Sequence, residues 1–265
     1  MSFVTLERHK MGRPTLFKKG AMSAAERQRR RRKKLAMAKA AVNPKALRRA
    51  EREHRWADKI LALPDRRYGI IYADSEWRHE PWSRESGMDR AADNHYPTSP
   101  FEVIAARDVA SIAAPDCILA KWATVPMLIE AFCVAEAWGF CRFERDPKTG
   151  LLLPDKSRSR YVSHWAWLKQ RIATGYWNRG KHEILLIFTR GNPVAPAMGE
   201  QLPSWLDGGA IEANATGHSI KPEVFLDWID RIYPNVPKIE LNRRGPPRPG
   251  WDAWGDEAAK AEAAE

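Results

Sequence analysis

The sequence has few cysteines and no long apolar segment, and these absences exclude several classes of protein. Its 265 residues include three cysteines, Cys117, Cys133 and Cys141, which are too few and too irregular for a disulfide framework or a cysteine-rich metal site. No apolar run approaches the roughly 18 residues of a membrane helix, and the basic N-terminus lacks the apolar stretch of a secretory signal. We therefore expect a cytoplasmic protein with reduced thiols and no membrane segment.

Two common catalytic signatures are also missing. The chain has no Gly-Lys-Ser/Thr phosphate loop, and its histidines lack the spacing of metal ligands. These histidines include His79, His95, His164, His182 and His218. The sequence therefore predicts neither a nucleotide phosphate loop nor a bound metal.

Positive charge is plentiful, but it is concentrated in one segment. Residues 1–60 hold 19 Lys and Arg against 5 Asp and Glu, whereas the other 205 residues hold 25 against 28. Ser23 and Glu26 form a capping box that predicts a helix start, and the basic run after it forbids burial of that helix. Such a run binds phosphates in a salt-sensitive, sequence-independent way, although a solvated tail without a partner is the alternative. The residues predicted to contact nucleic acid are Arg29, Arg30, Arg31, Arg32, Lys33 and Lys34.

The remainder alternates between strands and helices. Predicted strands are Tyr68–Ala73, Cys117–Ala123, Tyr161–Lys169, Glu183–Thr189 and Lys238–Leu241. Predicted helices run from Ser99 or Pro100 to about Asp108, over Pro126–Trp138 and over Pro222–Ile232. This order predicts an α/β fold with a mostly parallel sheet and helices on both faces, whose ligands bind at the C-terminal ends of the strands.

Three parts are expected along the chain. A basic extension over residues 1–60, partly helical or disordered, precedes a folded domain over 61–257 and a disordered tail over 258–265. Within the domain, 78–97 is predicted to be a long loop and 142–160 a mobile insert. On position and composition these two segments are the predicted target-recognition elements.

The segment Asp74-Ser75-Glu76-Trp77 follows the first predicted strand and suggests a chemistry. A carboxylate and a nearby main-chain carbonyl can accept the N–H groups of the exocyclic amine of adenine, a poor nucleophile whose lone pair is delocalised. An aromatic ring stacks on a base with about 1–3 kcal/mol, once the base has been unstacked. Alone, this pattern is weak, because an Asp at a strand end is more often a cap and a Trp more often belongs to the core.

The same segment resembles the Asp-Pro-Pro-Trp motif of the adenine-N6 methyltransferase family that includes messenger-RNA methyltransferases and many phage and prophage DNA methyltransferases. Other motifs of that family are matched in the same order over about residues 68–257. They are His95–Thr98, Lys121–Thr124, Ala137–Phe140, Trp165–Lys169, Gly175–Trp177, Glu183, Arg190–Gly191, His218–Glu223, Ile239–Leu241 and Gly250–Gly255. The resemblance implies a Rossmann-like methyltransferase sheet and S-adenosylmethionine as cofactor.

The resemblance also implies roles for individual residues. Asp74 would contact the methionine part of the cofactor and the target amine, Trp77 would stack on the base, and Ser75 and Glu76 would complete the catalytic segment. The residues implied to bind the cofactor are Asp74, Ala73, His218, Ser219, His182, Asp256 and Glu257. In addition, Trp82 and Tyr96 are predicted to contact nucleic acid.

The departures from the family pattern leave alternatives open. Ser75 and Glu76 replace two prolines that would lock φ; Glu76 could accept the second amine proton or could raise a pKa in the pocket by repelling Asp74. Lys121 interrupts an apolar strand and could pair with Glu76, touch substrate or lie on an exposed face. The leading hypothesis is a DNA adenine-N6 methyltransferase. The alternatives are a catalytically degenerate nucleic-acid-binding or partner protein and an RNA adenosine-N6 methyltransferase, and the sequence leaves the oligomeric state open.

Overall fold

The computed structural model describes residues 26–32, 62–78, 98–154, 159–172, 177–207, 220–243, 247–255 and 258. The chain divides into two units, Met1–Arg48 and Arg49–Glu265. In the first unit, residues 26–32 are helical and their side chains are exposed, as the capping box and the charges predict. The rest of the basic extension, including Lys33 and Lys34, lies outside the described residues, so the predicted boundary after residue 60 stays a prediction.

The second unit contains a seven-stranded sheet in the order β7-β5-β6-β2-β1-β8-β9. Its strands are β1 (Tyr68–Ala73), β2 (Ala113–Ala123), β5 (Arg160–Leu168), β6 (His182–Arg190), β7 (Trp205–Asp207), β8 (Lys238–Leu241) and β9 (Asp252–Trp254); a separate hairpin pairs β3 (Phe143–Arg145) with β4 (Leu152–Pro154). Its helices are α1 (Phe101–Ala105), α2 (Val109–Ile112), α3 (Leu128–Ala137) and α4 (Val224–Ile232), with a 3₁₀ turn at Val125–Met127 before α3. All five predicted strands and all three predicted helical regions are present.

The sheet is mostly parallel, as predicted, and β6 is the exception. Strand β1 runs parallel to β2 and β8, β8 to β9 and β5 to β7, whereas β6 runs antiparallel to both β2 and β5. Ala123 at the end of β2 is therefore paired with Ile184 near the start of β6. The first residues of β6 consequently reach the same sheet edge as the last residues of β1, β2, β5 and β8.

Several boundaries differ from the predicted ones for local reasons. Strand β2 begins at Ala113, four residues before the predicted start. The helix predicted up to Asp108 is two short helices, because the side chain of Asp108 accepts a hydrogen bond from the Ser111 amide and starts α2. Gly139 follows α3 with φ +82°, the left-handed conformation that ends helices and that glycine adopts without strain.

Within the segment predicted to be a mobile insert, 142–160, residues 143–154 form the β3–β4 hairpin, which was not predicted; the mobility of the insert stays a prediction. The carboxylate of Asp146 accepts hydrogen bonds from the amides of Lys148 (2.7 Å) and Thr149 (2.9 Å). Gly150 then turns the chain with φ +70°. The side chain of Asp146 and the left-handed backbone of Gly150 therefore form a tight turn that joins β3 to β4.

Helices cover both faces of the sheet, which confirms the predicted architecture. Because successive strand residues point to opposite faces, Ile71 and Ala73 belong to one core and Ile70 and Tyr72 to the other. The first core is closed by side chains of α1, α2 and α3, which include Ile104, Val109, Ala131, Val134 and Ala135. The second is closed by α4 through Phe225, Leu226, Trp228 and Ile229. Full burial of a Val, Leu, Ile or Phe side chain among them contributes about 1.5–3 kcal/mol.

No helix within the described ranges combines the length and apolar character needed to cross a bilayer.

Candidate active site

One edge of the sheet collects polar groups from several strand ends. Asp74 follows β1, Asn242 follows β8 and Lys169 follows β5. Strand β6 adds Glu183 from its N-terminal end, because it runs opposite to its neighbours. In open α/β sheets, ligands bind outside the carboxyl ends of the parallel strands, so this edge is the candidate active site.

Four charged side chains form a continuous ion chain at this edge. Lys221 Nζ lies 3.0 Å from Asp74 Oδ2 and 3.1 Å from Glu183 Oε2. Glu183 Oε1 is paired in turn with the ammonium of Lys169. The side chains of Lys221, Asp74 and Glu183 are 12%, 19% and 10% exposed. Charges so poorly hydrated need close partners of opposite sign, and the alternating order supplies each with at least one.

The pKa values within the ion chain reflect this pairing. Burial alone would lower the pKa of Lys221, but the charges of Asp74 and Glu183 outweigh burial and raise this pKa above its usual value. Burial would likewise raise the pKa of Glu183, but Lys221 and Lys169 lower it below its usual value. Lys221 is therefore a fixed positive charge between two carboxylates.

An aromatic layer lies beneath this charge. The ammonium of Lys221 is 5.4 Å from the ring centroid of Trp122, within the range of a cation–π contact. Trp122 Nε1 donates a 2.7 Å hydrogen bond to the hydroxyl of Tyr72, a β1 residue buried in the second core. The hydrogen bond to Tyr72 orients the Trp122 ring, so the ammonium of Lys221 contacts a side chain that is held by the buried core.

Ser75 is buried and accepts a hydrogen bond from the ammonium group of Lys121. Lys121 is fully buried, and its Nζ lies 4.9 Å from the ring centroid of Trp77 and 4.4 Å from that of Trp138. Burial lowers the pKa of Lys121 to about 7, because its nearest carboxylates compensate only part of the lost hydration. Of the alternatives for Lys121, the exposed face is therefore wrong, and its hydrogen-bond partner is Ser75.

Glu76 is buried, and its carboxylate contacts Arg107, Asn242 and the side chain of Ser99. Arg107 pairs with both oxygens, through Nη2 to Oε1 and through Nη1 to Oε2 at 3.1 Å. Asn242 Nδ2 donates to Oε2 at 2.8 Å. Burial would raise the pKa of Glu76, but Arg107 lowers it below its usual value. The role of Glu76 as acceptor of an amine proton stays a prediction, and in this arrangement both oxygens are already hydrogen-bonded.

Trp77 belongs to the first core, with only 4% of its surface exposed. A parallel bridge pairs its backbone with Ser99. Within the described part of the chain, its buried Nε1 has no hydrogen-bond partner. Stacking on a base stays a prediction, and it requires this indole to become more accessible than it is here.

The remaining predicted site residues fall into two groups. Ala73 is buried at the end of β1, next to Asp74, and His182 is exposed at the start of β6, next to Glu183. The others lie outside the described residues: His218, Ser219, Asp256, Glu257, Trp82 and Tyr96. Two of these pairs adjoin described residues, since Lys221 follows shortly after Ser219 and Gly255 precedes Asp256.

Sequence reasoning did not assign a role to most of the residues that surround Asp74. Lys221, Glu183 and Lys169 lie in segments that resemble family motifs, so their position in those motifs was a usable signal. Arg107 and Asn242 carry no comparable signal, because they are 31 and 166 residues from Glu76.

The donor set at this edge fits S-adenosylmethionine. That cofactor carries an ammonium group, a sulfonium cation and a carboxylate. The carboxylate of Asp74 can accept a hydrogen bond from the ammonium group and offset the positive charge of the sulfonium, and the ammonium of Lys221 is a partner for the cofactor's carboxylate. Across the described ranges, no group of three or more His, Cys, Asp or Glu residues could hold a metal ion.

The chain also matches known proteins. Residues 153–257 match the model of the MT-A70 family, a range that contains Lys169, Glu183 and Lys221. The chain is 29% identical over 207 residues to the Type II methyltransferase M.MunI of Mycoplasma sp. The aligned region covers 73% of this chain and 78% of that protein. That coverage and the sheet with helices on both faces fit an α/β Rossmann-like methyltransferase fold. The two similarities support an MT-A70 adenine-N6 methyltransferase family for this chain.

Proposed function

We propose that this protein transfers a methyl group from S-adenosylmethionine to the exocyclic N6 amine of adenine in DNA. The observation that carries the proposal is the carboxylate of Asp74 at the end of the central strand β1, with the ammonium of Lys221 3.0 Å away. The exocyclic amine of adenine reacts only when its lone pair is no longer delocalised into the ring. A carboxylate that is held in place and accepts an N–H of this amine favours that state.

Asp74 has two tasks in this proposal. Its carboxylate accepts an N–H of the target amine and so directs the amine lone pair towards the methyl donor. It also accepts from the amino group of the cofactor. Lys221, ion-paired with both Asp74 and Glu183, keeps the carboxylate of Asp74 in one orientation. Positioning of this kind supplies much of the acceleration of a bimolecular transfer.

The cofactor supplies an electrophilic methyl group on a sulfonium. By resemblance, His218 and Ser219 hold its methionine carboxylate, and Asp256 and Glu257 hold its ribose hydroxyls. Gly255, which precedes the second pair, is closely packed, because a Cβ at this position would lie 2.9 Å from Asn242 Cα.

DNA is proposed as the substrate because the sequence resembles the phage and prophage branch of the family and is similar to a Type II methyltransferase. The exposed helix that carries Arg29–Arg32 supports contact with phosphates. This contact would strengthen binding without selecting a base sequence.

The test is methyl transfer from labelled cofactor to duplex DNA, single-stranded DNA and single-stranded RNA, with N6-methyladenine identified by mass spectrometry. We expect transfer to DNA, and we expect Asp74→Ala to abolish it. The matched control is Asp252→Asn, because Asp252 pairs with Arg66 at the same 3.0 Å but lies at the start of β9, away from the site. Transfer to RNA alone would replace DNA as the substrate, and absence of transfer to all three would refute the proposal.

A degenerate methyltransferase that binds nucleic acid is the second candidate function. It is favoured by one observation: Trp77 is buried in the core. Calorimetry with S-adenosylmethionine separates the two functions. An enzyme should bind the cofactor and lose that binding in Asp74→Ala, whereas a degenerate protein should bind nucleic acid without binding the cofactor.

A further inference from the structure

The main chain around Asp74 leaves the regular strand pairing where β1 ends at Ala73. The Asp74 amide donates to Leu241 O at 3.2 Å, the Trp77 amide donates to Ser75 O at 2.9 Å, and Glu76 O accepts from the Ser99 amide at 2.8 Å. Neither Ser75 nor Glu76 is a proline, so φ is not fixed covalently there. Side-chain contacts can therefore add to the restriction of the backbone on which the Asp74 carboxylate is mounted.

Three side chains from three separate parts of the chain meet at this segment. Glu76 belongs to the segment itself, Arg107 lies between α1 and α2, and Asn242 follows β8. Arg107 bonds both carboxylate oxygens of Glu76, and the guanidinium also lies 5.1 Å from the ring centroid of Trp254. A bidentate pair of this kind defines orientation as well as distance.

Asn242 connects the pair to Asp74. Its single amide nitrogen donates to Glu76 Oε2 at 2.8 Å and to the main-chain carbonyl of Asp74 at 3.1 Å. The main chain of Asn242 is also held in place, because its N–H donates to Trp254 O at 2.6 Å. The residue has a left-handed backbone conformation with φ +62°. Asn tolerates this left-handed conformation better than most residues.

The burial of these groups argues for a positional role. The side chains of Arg107 and Glu76 are 12% and 5% exposed. A buried ion pair is often no more stabilising than apolar residues of similar volume, because both charges lose hydration. The same pair can still specify one arrangement of the backbone, since any displacement of Glu76 leaves a buried charge unpaired.

We propose that Glu76, Arg107 and Asn242 form a positioning clamp that fixes the backbone at Asp74 and thereby the direction of its carboxylate. The three residues are positioning residues and act through Asp74. The effect of the clamp on catalysis rests on the proposed function, whereas its effect on the backbone does not.

The experiment has two readouts on the full chain. Hydrogen exchange with mass spectrometry measures the amides around residues 74–77 without requiring activity. Steady-state kinetics on adenine-containing DNA measures kcat and KM. The variants are Glu76→Gln, Arg107→Met and their combination. The control is Arg190→Met, because it removes an arginine that contacts α2, by donating to Ala110 O at 3.0 Å, from the opposite end of the sheet.

We expect Glu76→Gln and Arg107→Met to accelerate exchange around residues 74–77 by about tenfold or more. We expect kcat to fall by about 10- to 100-fold, the cost of a small displacement of a reacting group, with KM for DNA changed by less than about threefold. The combined variant should reduce kcat by less than the two single reductions multiplied together, because both substitutions remove the same contact. Arg190→Met should leave local exchange and kcat near the wild-type values.

Unchanged exchange around residues 74–77 in both single variants would overturn the clamp. So would accelerated exchange with an unchanged kcat, because the segment would then be loosened without consequence for Asp74. If the wild-type protein transfers no methyl group, the proposed function fails. The clamp is then judged by exchange alone, where acceleration supports it and no change overturns it.

Discussion

Replacement of Lys121 by methionine should remove a specific pH dependence of stability. Lys121 is fully buried between two indole rings, and its pKa is lowered from 10.5 to about 7. Above the unfolded-state pKa, the residue is neutral in both states and costs nothing. As the pH falls towards about 7, the unfolded chain binds a proton that the folded chain does not, so stability is lost.

The size of the effect follows from that pKa difference. A difference of one bound proton changes the free energy of unfolding by about 1.4 kcal/mol per pH unit. Because Lys121 is half protonated near the lower end of the window, we expect wild-type stability to rise by about 2 kcal/mol between roughly pH 7 and pH 9 through this residue alone. Lys121→Met should lack this part of the slope.

The assay is urea unfolding of both proteins at several pH values across that window. Comparison of the two slopes cancels every group that titrates in both proteins. The charged groups facing Lys121 are Glu76, Arg107 and Asp74, and all three are present in both proteins.

The control is Lys238→Met, which removes another buried lysine, one that lies 3.4 Å from Asp230, and leaves Lys121 in place. A slope in Lys238→Met as flat as that in Lys121→Met would show that the loss of any buried lysine, and not of Lys121, changes the pH dependence. Equal slopes in the wild type and Lys121→Met would refute the argument, because Lys121 would then bind its proton equally in both states.

Three further predictions follow from the ion chain, the basic extension and the cofactor site. Lys221→Met leaves Asp74 and Glu183 facing each other, so the free energy of unfolding should fall by about 3–5 kcal/mol, measured by urea unfolding; an unchanged value would show that the pairs do not persist in solution. Deletion of residues 1–60 should flatten the salt dependence of DNA binding, measured by fluorescence anisotropy, and leave turnover of a saturating short substrate; loss of that turnover would make the segment part of the fold. S-adenosylmethionine at 100 times its Kd should stabilise the protein by about 2.7 kcal/mol, visible as a higher unfolding midpoint, and an unchanged midpoint would contradict cofactor binding.

The sequence by itself determined the strands β1, β2, β5, β6 and β8, the helical regions of α1, α3 and α4, and the position of Asp74. Tyr68–Ala73 is an apolar run with a polar end, and such a run is a strand wherever it is buried, so Asp74 had to lie at a strand end. Likewise, the capping residues and charges before Arg32 predicted an exposed helix. These features depend on local periodicity and on turn chemistry, which neighbouring residues decide.

Only the tertiary structure decided what surrounds Asp74. The reversed direction of β6 brings Glu183 to the edge where Lys221 joins it to Asp74. Glu76 looked like a possible substrate contact, but it is paired with Arg107 and Asn242, which no local pattern connects to it. Burial and pairing of charges depend on which distant segments meet, and that is a property of the packed sheet and helices.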